Sequence, residues 1–432
     1  MSLFEYQTVV TIFALLGNVP LKDFLAFLLF PLLFEFPRYL LGFPSIVMMY
    51  LRDRKAARKG SLKLPPNLGK VSILIAGHNE ADAIEHGVKS LMKQSFRDFE
   101  IVCVSDGSTD NTYEIMKRLQ REGLVQKVAG NQTRGGKASA INLGARLASG
   151  DILIVIDCDC TFEEHAIAEI LMPFWDPNVA GVSASVLVKN DDASFCASMQ
   201  AIEYLQGMAL GKAQLEMFGQ LCMISGAFGA FRKKAWTHVN GMDPGPGEDL
   251  DISLRLRFAG YKLAFAHRAI AYTDVPTTYF NLFRQRNRWE RDMIWLRFRK
   301  HGWAFNPFSV NFKPREMYHQ IDIIVWTLIP TFIFVPYMVM CYLWLGDSFW
   351  PLMAAVSFMT FIFDISVFTC AVLAIGDNRH WRLLPFLLVY GTVQSWIMRQ
   401  HRAYAILNEW VYSVSREDSF APPKVNAWIR WK

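Results

Sequence analysis

The stretch DILIVIDCDC, residues 151–160, runs a block of apolar, mostly β-branched residues straight into Asp157 and Asp159. A short apolar run of this kind, without helical spacing, predicts a strand buried on both faces. Two carboxylates one residue apart at the end of such a strand project to the same side if the strand persists through them. Paired oxygen donors of that kind can hold a divalent ion. The bland reading is two solvated loop aspartates. Cys158 and Cys160 offer another metal pair, but two thiolates alone do not complete a zinc site.

Outward from this strand the same punctuation repeats. VSILIAG (71–77), FEIVCVSD (99–106), LVQKVAG (124–130) and VAGVSASV (179–186) read as further buried strands. Residues 83–94, 112–122, 137–148 and 163–175 between them have helical spacing. The alternation predicts an α/β domain with a mostly parallel sheet covered on both faces. Ligands then bind beyond the carboxyl ends of the strands, where Asp106, Asp157 and Asp159 fall.

Composition places part of the chain in lipid. Charged residues make up 19 % and hydrophobic residues 52 %, with mean hydropathy +0.17, against about 25 % charged in ordinary soluble domains. The 33 Phe and 13 Trp suit membrane interfaces. The expected segments are an apolar 1–51 with one firm span, a basic linker 52–70, the sheet domain 71–277, interfacial helices 278–320, membrane helices 321–404 and an amphipathic basic tail 405–432. A short helix at 4–16 is read as interfacial, as is 200–220. Spans are expected at 24–51, 321–345, 350–375 and 383–398. The basic cluster Arg52, Arg54, Lys55, Arg58, Lys59 and Lys63 follows a span directly, which reads as a cytoplasmic anchor rather than a nucleic-acid surface. That orientation and three C-terminal spans would place the basic tail outside, against the positive-inside rule. The seven cysteines lack framework spacing and predict buried, reduced thiols. No secretory signal is evident.

Three further motifs carry chemistry. Asp106 in SDGSTDNT ends a strand before a glycine turn; it stabilises the turn or accepts from a base or ribose. Asp249 in PGPGEDLD is a candidate general base in a loop that allows close approach, or else a helix N-cap. In RQRNRW, Trp289 offers a flat face to a sugar ring and Arg288 or Arg286 a fork for a diphosphate. An Arg- and Trp-rich membrane-surface helix would look the same.

ILIAGHNEA (73–81), SDGSTDNT (105–112), GGKASAINLGA (135–145), IDCDC (156–160), ISGAFGAFRKKAW (224–236), GEDLD (247–251) and QRNRW (285–289) follow one another from about Val71 to His301. In that order, with membrane helices on either side, the chain resembles the processive, membrane-embedded family 2 glycosyltransferases such as cellulose, hyaluronan and chitooligosaccharide synthases. The resemblance implies a GT-A-type, Rossmann-like domain on the cytoplasmic face of a bacterial plasma membrane. It implies inverting transfer from a nucleotide donor (a UDP-sugar) to a polysaccharide or lipid acceptor, with Mg²⁺ or Mn²⁺, and translocation of the product through the bilayer. Accessory secretion proteins are the implied partners and nucleic acid is not. Asp106, Glu80 and Lys137 would lie on the donor side, and Asp157 near the ribose or diphosphate. Asp159, with Asp157, would hold the metal. Asp249, beside Glu248, would be the catalytic base, while Gln285, Arg288 and Trp289 would hold the diphosphate and the acceptor end. Ala76, Gly77 and His78 before Asn79 and Glu80, and Ser105 before Asp106, depart from the family pattern and leave base identity open. Transfer of a single sugar to a lipid carrier, and an inactive membrane scaffold, are the alternatives.

Overall fold

The computed structural model describes residues 19–58, 64–66, 68–207 and 211–412. The expected 4–16 helix, the side chains of the basic cluster and most of the C-terminal tail lie outside the described residues. The N-terminal helix comprises α1 (Leu21–Phe30), a π-turn at Pro31–Glu35 and α2 (Phe36–Arg58).

The domain that follows alternates strand and helix as its sequence periods require. Its elements are β1 (Val71–Gly77), α3 (Ile84–Leu91), β2 (Phe99–Asp106), α4 (Thr112–Arg121), β3 (Lys127–Asn131), α5 (Lys137–Leu147), β4 (Ile152–Ile156), β5 (Thr161–Phe162) and α6 (Ala166–Leu171). Next come β6 (Val179–Val188), α7 (Phe195–Gln206), α8 (Lys212–Met217), β7 (Phe228–Arg232), α9 (Lys233–His238), α10 (Glu248–Phe258) and β8 (Lys262–Thr273). They build an 8-stranded sheet in the order β3-β2-β1-β4-β7-β6-β8-β5. β1 pairs parallel with β2 and β4, β2 with β3, and β6 with β8. β7 lies antiparallel between β4 and β6, and β5 antiparallel at the edge of β8. Every residue of β4 is buried, as its uninterrupted apolar run requires.

The chain winds from β1 through β2 to β3, then returns to β4 on the other side of β1. The carboxyl ends of β1, β2 and β4 therefore open onto one crevice, the position where open α/β sheets bind ligands.

After α11 (Tyr279–Ile294) the chain enters α12 (Met317–Ile323), α13 (Ile329–Leu345), α14 (Phe349–Ile375), α15 (Leu387–Val393) and α16 (Arg399–Tyr412). Among the described residues two helices are long and apolar enough to cross a membrane: Leu21–Leu51 and Pro314–Ile375. The second has 62 residues, roughly 90 Å of helix against a core of about 30 Å, so it must fold back. It does so at Gly346, whose φ of 53° continues no helix. Phe30 packs on Phe334 and the Tyr337 hydroxyl donates to the Ala26 carbonyl, so α13 runs antiparallel to α1. Phe27 meets Phe349 and Phe36 meets Phe363, so α14 runs parallel to it. Arg257 at the end of α10 grips the Glu316 carboxylate with both arms, at 2.7 and 3.1 Å, which ties the sheet domain to the base of this hairpin.

Two stretches differ from the sequence reading. Residues 378–386 form a 3₁₀ helix whose Arg382 pairs with Asp191 of the sheet domain. The helix that follows rests on that domain and α11 at both ends: Phe386 packs on Phe195, Arg402 pairs with Glu290, and Arg299 donates to the Glu409 carbonyl. Its second half is polar, and among the described residues the run at 383–398 is not part of a helix long and apolar enough to cross a membrane. In the 200–220 stretch, α7 is buried along most of its length between β6 and α14 instead of lying in an interface.

Candidate active site

Asp106 ends β2 with 3 % of its surface exposed. Its carboxylate accepts from the backbone N–H groups of Gly135 and Gly136, both at 2.8 Å, and from Asn131 Nδ2 at 3.2 Å. Gly107 and Gly136 take φ of 63° and 87°, conformations that favour glycine, so this loop can fold over the carboxylate. These bonds give Asp106 a turn-stabilising role at the mouth of the crevice. Beside it Asn79, at φ 58°, accepts from the Thr109 N–H and hydroxyl, and His78 Nδ1 lies 2.8 Å from the Asp106 carbonyl. The strand-end loops of β1 and β2 are interlocked.

Lys137 opens α5 and reaches across the crevice. Its Nζ lies 2.5 Å from Asp157 Oδ1, 3.3 Å from the Gly226 carbonyl and 3.9 Å from Glu248 Oε1. Burial works against its charge, but the carboxylates of Asp157 and Glu248 hold its pKa above the usual lysine value. Glu248 is pushed up by burial and by Asp249, with Lys137 opposing.

Gly247, in a left-handed conformation, caps α10, and Glu248 and Asp249 form its first turn. The N-cap alternative for Asp249 is therefore set aside. Asp249 accepts from the Gly226 N–H at 3.2 Å and the Leu250 N–H at 2.7 Å, while Ser253 Oγ donates to its carbonyl at 2.6 Å. The loop before β7 and the start of α10 thus hold this carboxylate at the crevice. Deeper in the helix, Asp251 is fixed by Arg255, Lys300 and His301, a buried anchor away from the crevice.

Asp159 accepts from Thr273 Oγ1 at 3.2 Å, and burial followed by the Asp157 charge raises its pKa. Glu80 is raised likewise, by burial and then by Asp159, Asp157 and Asp110. The crevice end of β4 therefore holds mutually repelling carboxylates, a field that favours a cation. No group of three or more His, Cys, Asp or Glu among the described residues converges on one point. Two hard oxygen donors fit an ion that takes its remaining ligands from phosphate and water. Cys158 and Cys160 are both buried thiols, and Cys158 donates to the Ala76 carbonyl.

The basic pentad sits on α11. Gln285, Arg288, Trp289 and Asp292 share one face by their spacing of three and four. The Arg286 guanidinium lies 4.6 Å from the Trp289 ring centre and bonds Glu203 at 2.9 Å, so it braces the tryptophan. Trp289 keeps 37 % of its surface exposed. Asp292, absent from the motif reading, is buried against Gly247. Burial pushes its pKa up to about 7, with Arg288 opposing and Glu248 and Asp249 reinforcing. Its spacing from Arg288 was the available signal.

Residues 72–239 match the sequence model of glycosyl transferase family 2. A poly-β-1,6-N-acetyl-D-glucosamine synthase from Staphylococcus epidermidis is 26 % identical over 389 residues, which cover 86 % of this chain and 91 % of that protein. The corresponding synthase from Staphylococcus aureus strain MSSA476 is 29 % identical over 271 residues, 62 % of this chain and 65 % of that one. Among solved structures, the mannosyltransferase PcManGT from Pyrobaculum calidifontis, in complex with GDP-Man and Mn²⁺, superposes with a TM-score of 0.48 and 18 % identity, over 83 % of this chain and 96 % of that one.

Proposed function

We propose that the chain, whose residues 72–239 match the family 2 glycosyltransferase model, is an inverting, processive synthase extending a β-linked polysaccharide from UDP-N-acetylglucosamine. The observation that carries the reaction is the convergence of Lys137, Asp157, Glu248 and Asp249 on one crevice at the strand ends. The sugar rests on similarity to the two staphylococcal synthases. We place the sheet domain on the cytoplasmic face of a bacterial plasma membrane. A helix at 21–51 and the hairpin at 314–375 cross it three times, and a C-terminal helix that returns to the domain removes the conflict with the positive-inside rule.

Asp249 takes the proton from an acceptor hydroxyl as that oxygen attacks the anomeric carbon. The bond from that carbon to the diphosphate oxygen breaks, its electron pair leaves with the diphosphate, and the configuration inverts. Lys137, held on the Asp157 side of the crevice, and Arg288 on α11 offset the leaving charge. Asp157 and Asp159 would hold Mg²⁺ or Mn²⁺, which supplies charge neutralisation to the diphosphate. Trp289 stacks the acceptor end, so the extended chain stays in place for the next transfer.

Full-length protein in nanodiscs, given UDP-N-acetylglucosamine and Mn²⁺, should release UDP and yield a ladder of oligosaccharides by mass spectrometry. Asp249→Asn should abolish both. Wild-type turnover in that variant would remove the base assignment, and a single-sugar lipid product would remove processivity.

A further inference from the structure

We propose that Lys212 is a positioning residue for the catalytic carboxylate: its buried ammonium, acting through the Ser183 hydroxyl, holds the 224–226 loop against Asp249. This rests on the transferase reading above.

Lys212 opens α8 and is 6 % exposed. Its hydrogen-bond partners are neutral: Ser183 Oγ at 2.8 Å and the Ala184 carbonyl at 3.3 Å. An ammonium buried among neutral oxygens is costly compared with an apolar side chain of the same volume. Its surroundings show what it organises. Ser183 Oγ also accepts from the Ser225 N–H at 3.1 Å, so both of its lone pairs are filled and the hydroxyl is fixed. The next N–H, of Gly226, donates to Asp249 Oδ2, and the preceding one, of Ile224, donates to Ser253 Oγ, which itself bonds the Asp249 carbonyl. Three successive backbone donors are thus tied to Lys212 through Ser183, to the base itself, and to the helix that carries it. The Gly226 carbonyl on the same loop accepts from Lys137. Lys212 bonds neither Asp249 nor Lys137, so its action is indirect.

Burial pushes Lys212 down to about 8, against the pull of Asp249 and then Cys222. The titratable groups around it are Asp249 on α10, Cys222 on the loop before β7, and Glu216 on its own helix, which accepts the Phe265 N–H. The Phe265 ring centre lies 5.7 Å from the ammonium. The cationic form is present below about pH 8 and is lost as pH rises through that value.

The test uses full-length protein in nanodiscs, with UDP-N-acetylglucosamine and Mn²⁺ for turnover and UDP alone for binding. Lys212→Met should lower kcat roughly 10- to 100-fold while UDP affinity holds. Lys212→Arg should keep most of kcat and move the alkaline limb of the pH profile upward from near 8. Ser183→Ala, which leaves the charge and cuts the link, should lower kcat as well. Wild-type kcat in Lys212→Met, loss of UDP binding in step with kcat, or an unmoved alkaline limb in Lys212→Arg would each overturn the proposal. Should Lys212→Met fail to assemble, Ser183→Ala decides, and wild-type kcat there overturns it. No turnover by the wild-type protein on any UDP-sugar would instead remove the transferase reading, and this inference with it.

Discussion

Lys137 Nζ lies 2.5 Å from Asp157 Oδ1 and also bonds the carbonyl of Gly226, whose N–H holds Asp249. One ammonium therefore spans from the end of β4 to the loop that presents the proposed base. A donor diphosphate entering the crevice would find that cation already placed. Lys137→Ala should reduce kcat/KM for the nucleotide sugar by roughly 100-fold, the scale of one buried charge-assisted contact. UDP-release kinetics measure it. A change confined to acceptor KM would show that Lys137 serves the other side of the crevice.

Burial and then the Asp157 charge raise the pKa of Asp159, and burial followed by Asp159 and Asp157 raises that of Glu80. A divalent ion relieves that repulsion and bridges to a diphosphate. Chelation should therefore stop UDP release, and Mn²⁺ or Mg²⁺ should restore it. In calorimetric titrations, UDP should bind wild-type protein roughly 100-fold more tightly with Mn²⁺ than without. Asp159→Asn should lose most of that difference. Equal affinity with and without the ion would remove the metal assignment.

Much of this was legible in the chain because the determinants are local. The apolar run 152–156 ending at Asp157 makes β4 and its acidic end without help from distant residues. The helix beginning at Lys137 and the Gly-rich approach to Asp249 are equally local. β7 was harder: FGAFR is short and rich in small residues, and it is a strand because β4 and β6 flank it. Lys212 was hidden for a related reason: it is one charge on a short helix, and its meaning comes from Ser183, which only the fold brings near. Asp292 offered only its spacing from Arg288, and its burial comes from Gly247, distant in sequence. The third apolar run reads as a span on hydropathy, which does not report that Arg402 and Glu409 are bound to the protein.

Asp292 supplies a pH signature. Its folded pKa of about 7 lies above the ordinary aspartate value of 3.8. The native protein therefore binds more protons than the unfolded chain between about pH 4 and 7, and stability falls as pH rises through that window. Asp292→Asn keeps the shape without the charge. It should raise the midpoint of thermal unfolding at pH 8 and flatten its decline between pH 5 and 8. Differential scanning fluorimetry in detergent reads both, and a parallel pH dependence in variant and wild type would place the burial cost elsewhere.

Trp289 should govern product length more than turnover. Its ring is braced by Arg286, itself anchored on Glu203, and more than a third of its surface remains open to a ligand. A sugar stacked there gains on the order of 1–2 kcal/mol, about tenfold in residence of the chain end between transfers. That residence competes with release at every cycle, so a tenfold loss shortens the product distribution even when each chemical step is unimpaired. Trp289→Ala should therefore shift the oligosaccharide ladder to shorter products, with initial UDP release falling less than the mean length. Glu203→Gln, which loosens the brace and leaves the ring, should give an intermediate shift. If Trp289→Ala slowed UDP release in proportion and left the length distribution unchanged, the tryptophan would act on the chemical step instead of on chain retention.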